Sequence, residues 1–243
     1  MSETSEERNR RLRETEIYKQ TRERIKGIEL AIHSIPEYKG FLSYGRIMRN
    51  NFAKCYEKWL ESERISRILR DIKTRDEFNC FRPESQSMIK MLVYLGLVES
   101  VGVTLMDIIL LMLVANGKEI HTRGAHAKHV ETFEDLESIW DLDYKLSFLD
   151  SVEISIFREK IINKDLRDKI AHLRFKIQDD GTIQKKDNGY NFVDVDNEIS
   201  EFWDGVDTIN LIFEELRVWE KLSQFYEEDK AVMKGEKDGH GKS

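Results

Sequence analysis

The stretch from Leu166 to Phe175 packs a fixed cation (Arg167), a carboxylate (Asp168) and an imidazole (His172) into a turn and a half of helix, between apolar residues that can anchor it. At about 100° per residue, Asp168 and His172 lie about 40° apart, so the carboxylate can reach an imidazole nitrogen. Arg167 and His172 lie about 140° apart, and one straight helix does not aim both at one small ligand. Either the helix ends near His172, or a second copy of the same turn completes the site. An imidazole is suited to general acid/base work near neutral pH. A guanidinium offers a fork of donors to a phosphate as negative charge develops on it.

The elements that must position these groups are mostly helices. The 243 residues suffice for one large domain or two small ones and for a sizeable core. Charged residues make up 35% of the chain and there are only two prolines, which predicts a charge-rich, mostly α-helical protein. Cys55 and Cys80 have neither metal-ligand spacing nor a disulfide framework, so a reducing, cytoplasmic setting is expected. The N-terminus is charged, with no apolar signal core, and the run Leu105 to Ala115 is too short to span a bilayer and carries Asp107. No membrane segment is expected.

The net charge of −7 argues against indiscriminate nucleic-acid binding, but its distribution is uneven. Residues 1–82 carry 19 basic and 14 acidic side chains, and residues 157–186 carry nine and five. Residues 194–229 hold twelve acidic against two basic. The motif is therefore locally basic, as a polyanionic substrate would require within a Debye length of about 8–10 Å. Pairing of the two ends of the chain is an equally good account of the same pattern.

In chain order, residues 3–33 read as one charged helix stopped by Pro36. Arg8, Arg10, Arg11 and Arg13 on it could touch phosphate, although alternation with Glu favours a solvated face. A second helix runs over about 42–72. Residues 85–116 give the strongest helix, capped by Ser85, stopped by Asn116-Gly117 and apolar almost all round. Glu99 and Asp107 interrupt it, and each should face a cleft, an interface or a cation. His126 and His129 have ligand-like spacing, but no cysteine or carboxylate signature completes a zinc site, so 118–135 reads as an exposed polar loop. Residues 132–149, with Trp140 among the packing groups, read as a helix, and the motif helix spans about 152–173. A hairpin turn at Asp179-Asp180-Gly181 marks a small β excursion. Asp196 or Asn197 caps the last helix, and a Lys/Gly-rich tail, residues 230–243, is expected to be disordered.

The segment Arg167-Asp168-Lys169-Ile170-Ala171-His172 resembles the Arg-(Asn/Asp/His)-x-x-x-His signature of HEPN domains, helical modules of many ribonuclease toxins and defence proteins. The resemblance covers residues 85–225, including an apolar helix with an acidic residue, Glu99, ahead of the motif helix. It implies a HEPN-like helical bundle over 84–229 with a small β-hairpin insertion, and an N-terminal helical extension over 1–83. It also implies a metal-independent endoribonuclease without cofactor, in a toxin or antiviral setting, whose site is composite at a homodimer interface. Arg167, Asp168 and His172 would be catalytic, and Glu99, Lys169 and Arg174 would contact the RNA. A cognate antitoxin or activating partner is a further expectation. Two residues after the motif histidine stands Arg174 where some such toxins carry a modifiable tyrosine, so silencing by modification of that tyrosine is not implied. A non-catalytic dimeric binding or scaffolding module is the alternative, and a zinc-dependent site at His121, His126 and His129 ranks third.

Overall fold

Thirty-three residues, Pro83–Ala115, form one nearly continuous apolar rod through the middle of the molecule. The computed structural model describes residues 3–35, 44–122, 127–139, 141–186 and 190–239. Along the rod, α4 (Pro83–Leu97) passes through a π-helical turn (Val98–Gly102) into α5 (Val103–Ala115). Its length and hydropathy equal those of a membrane span, which the shorter run Leu105 to Ala115 did not suggest. Yet 78% of its most apolar window is buried by the rest of the chain. The start also differs from expectation: Pro83 occupies the first turn, where its missing N–H costs nothing, and Ser85 lies inside the helix.

The other helices wrap this rod. The expected helix over 3–33 is two, α1 (Ser5–Glu14) and α2 (Glu16–His33), because Thr15 leaves the helical conformation to cap α2. They are followed by α3 (Tyr44–Thr74), α6 (Phe133–Glu137), α7 (Leu142–Ser151), α8 (Lys164–Ala171), α9 (Val195–Glu215) and α10 (Val218–Gly239). Between α8 and α9 lies an antiparallel three-stranded sheet in the order β1 (Phe175–Ile177), β2 (Ile183–Lys186), β3 (Tyr190–Phe192). The chain is thus mostly α-helical with a small β excursion.

Three expectations are corrected. The division at residue 83/84 marks no boundary in the core. Ile25, Ile32, Phe52 and Trp59 belong to the same buried cluster as Leu105, Phe157 and Phe213, because α2 and α3 supply one wall of the rod's casing. The tail expected to be disordered from residue 230 continues α10 as far as Gly239, since its Glu, Lys, Ala and Met residues are strong helix formers. The expected helix over 132–149 is interrupted after Glu137, and Asp141 caps α7 anew; Trp140 lies outside the described residues.

The charge asymmetry is resolved within the chain. Arg8 and Arg11 bind Asp204 at 2.8 and 3.1 Å, and Arg13 and Arg22 bind Glu215 at 2.9 and 3.0 Å. The basic N-terminus is therefore largely spent on acidic α9. Stacked Trp59 and Trp219, with centroids 4.7 Å apart, join α3 to α10.

Candidate active site

The motif does not sit on one long helix. The chain breaks at Glu153, which adopts a left-handed φ of 62°, forms a π-helical turn over Phe157–Ile161, and begins again as the eight-residue α8. Asn163 makes that restart possible. Its Oδ1 accepts from the Leu166 N–H at 3.1 Å and caps α8. Its own N–H donates to the Tyr94 hydroxyl on α4 at 3.0 Å, and its Nδ2 donates to Glu198 on α9 at 2.9 Å. The same turn packs so closely on α9 that a Cβ at Gly205 would lie 2.5 Å from Ile161. α8 is thus fixed from two sides.

At its other end α8 stops at Ala171, with His172 as the C-cap, so the helix does end near His172. The Arg174 N–H donates to the Lys169 carbonyl at 2.7 Å and the Leu173 N–H to the Ile170 carbonyl at 3.1 Å, the pattern of a Schellman motif. The left-handed position falls on Leu173, φ 54°, where glycine is usual, and its side chain is 73% exposed.

Arg167 is the organised group. Its Nε and Nη2 both reach Glu99 Oε1 at 2.5 Å, and its Nη1 reaches Asp168 Oδ1 at 2.9 Å. Burial opposes its charge, but the bonds to Asp168 and Glu99 outweigh it and hold the guanidinium firmly protonated. Asp168 also meets Lys164 at 3.4 Å. Burial raises its carboxyl, and the Arg167 bond and Lys164 more than reverse this, leaving it below the usual carboxylate range. Glu99 sits on the π-helical turn of the central rod, which is how a residue 68 positions earlier meets Arg167.

The structure therefore brings together Arg167, Asp168 and Glu99, and leaves other expectations unmet. Asp168 turns to Arg167 and Lys164 rather than to His172, so its carboxylate is shared between two fixed cations. The His172 side chain is exposed, with no hydrogen bond or ion pair among the described residues. Lys169, expected to contact substrate, is largely buried and pairs with Asp165 at 2.9 Å. Arg174 is exposed beyond the helix end. The His172 backbone stays near-helical (φ −100°, ψ 9°), so its side chain still leaves the helix about 140° from Arg167. Among the described residues no contact joins Arg167 to His172.

Asn163, Tyr94 and Glu198 carry the site's position and went unseen in the sequence, where a lone Asn ahead of Leu166 is the only local sign of a helix start. Comparison with protein-family models, with curated proteins and with solved structures finds no match to this chain.

Proposed function

We propose that this chain is a HEPN-like, metal-independent endoribonuclease whose composite site forms when two copies set their α8 turns face to face. The observation that carries this reading is Arg167 clamped at the surface by Glu99 and Asp168, five residues ahead of an exposed His172 whose side chain has no partner among the described residues. Arg167 of one copy and His172 of the other would then meet at one phosphate, which a single helix does not allow. His172 would exchange a proton with the 2′-hydroxyl or the leaving 5′-oxygen, and Arg167 would hold the phosphate. The products would be a 2′,3′-cyclic phosphate and a 5′-hydroxyl. Exposed Leu173 beyond α8, with exposed Met88 and Leu92 on the adjoining α4, supplies apolar surface for such a dimer. A cytoplasmic toxin or antiviral role, with an antitoxin or activator as partner, belongs to the same proposal.

A second reading is a non-catalytic dimeric binding module. Two features favour it: the donors of Arg167 already have carboxylate partners, and the cleft beside Asp168 is lined by six acidic side chains against three basic ones, a poor match to phosphate. The test is incubation of the purified protein with total RNA and tRNA in EDTA. The nuclease reading expects cleavage that falls about 100-fold or more in Arg167→Ala and in His172→Ala. A folded dimer that leaves RNA intact selects the binding module.

A further inference from the structure

The second cluster of chemistry-bearing side chains lies on the short hairpin between α5 and α6. There His121 and His129 form an antiparallel bridge, with ring centroids 4.2 Å apart. The Thr122 N–H donates to the Lys128 carbonyl and the Val130 N–H to the Ile120 carbonyl, each at 2.8 Å. These bonds flank the histidine pair, so His121 and His129 occupy a non-hydrogen-bonded position, where cross-strand side chains come closest. Glu119 lies two residues before His121 and hence on the same face. Its carboxylate oxygen and the two imidazole nitrogens all lie within 4.8 Å of one another. His126, the partner suggested by sequence spacing, lies outside the described residues, and the carboxylate absent from any linear signature is supplied by Glu119.

We propose that Glu119, His121 and His129 bind a divalent transition-metal ion of the zinc class. Two imidazole nitrogens and one carboxylate oxygen are the donors such an ion prefers, and three protein ligands leave a fourth position open to water. Bonds of about 2.0–2.1 Å in tetrahedral geometry place ligand atoms about 3.4 Å apart, so the side chains need close by no more than about 1.4 Å. All three are exposed and can rotate without disturbing packing. The backbone beneath them is held. The Lys128 N–H donates to Thr122 Oγ1 at 3.0 Å, and Asn51 Nδ2 on α3 donates to the Glu131 carbonyl at 2.9 Å. The ion would staple the segment between α5 and α6, whereas α8 packs on α4, so the proposal is independent of the nuclease reading.

The test is titration of the full chain, stripped with chelator and exchanged into buffer, with Co²⁺ followed by visible absorption and with Zn²⁺ by calorimetry. One equivalent of each is expected to bind, less tightly as the imidazoles protonate on acidification. His121→Ala and His129→Ala should each lose more affinity than the 10–100-fold of a typical outer-shell change, and Glu119→Gln should weaken binding without abolishing it. Far-UV circular dichroism of the variants should match the parent, because the side chains are at the surface. Absence of saturable binding, or binding that survives His129→Ala unchanged in a folded protein, overturns the proposal.

Discussion

Two carboxylates interrupt the same apolar rod eight residues apart, and their fates are opposite. Asp107 is 1% exposed and bonds Lys145, itself 4% exposed, at 2.7 Å, while its second oxygen has no hydrogen-bond partner among the described residues. Burial pushes the Asp107 carboxyl up, against the pull of Lys145. Glu99 is 43% exposed and meets Arg167 at the rim. A buried ion pair cannot open without leaving a bare charge in an apolar medium, so Asp107–Lys145 serves the fold. A surface pair gains about 0–1 kcal/mol and can exchange a carboxylate for a ligand, so Glu99–Arg167 is available to function. An acidic residue in an apolar helix marks a site only where water reaches it.

The sharpest way to break this contrast is to remove one cation from each pair. Lys145→Met should cost about 3–5 kcal/mol in urea denaturation, because it strands Asp107, and a second change, Asp107→Leu, should recover most of that loss. Arg167→Ala should cost about 1 kcal/mol or less, and equal losses from both single variants would erase the distinction. A smaller effect of opposite sign is expected at the end of α8. Leu173→Gly should raise stability by about 1 kcal/mol, since glycine accepts φ 54° without strain and little packing is lost. No gain in a thermal melt would show that the helix end is not strained.

The smallest effect concerns pH. The folded carboxyl of Asp168 is depressed, so its contribution is complete above the ordinary carboxylate range and is lost as pH falls through the lowered value. Asp168→Asn should therefore be less stable than the parent at neutral pH, and the two melting curves should converge on acidification. A gap that persists or widens in acid would mean that Asp168 does not act through its charge. Asp107 has the opposite sign: its raised carboxyl favours the protonated folded state, so its own charge contributes no stability that acid removes.

The helical class, the central rod and the Arg167–Asp168–His172 turn were legible because each rests on local pattern: composition, apolar periodicity and spacing within one turn. The breaks were not. Thr15, the π-helical turns at Val98–Gly102 and Phe157–Ile161, and the restart at Asn163 all fall in stretches whose side chains would also suit an unbroken helix. At Asn163 the break is held by contact with distant groups, Tyr94 and Glu198. The cross-strand histidine pair was illegible too, because its register brings together residues eight apart across a turn, a contact that local spacing does not announce.

By itself the sequence determined which residues can carry charge, donate protons and form helices, because those properties belong to each side chain and its near neighbours. Only the tertiary structure decided which charges are spent across elements: Arg8, Arg11, Arg13 and Arg22 on α9 and Lys145 on Asp107, with His172 left at the surface. The reason is physical. The strength of an ion pair, and hence whether it is structure or site, depends on distance and on access to water, and both are set by elements that meet only when the chain has folded.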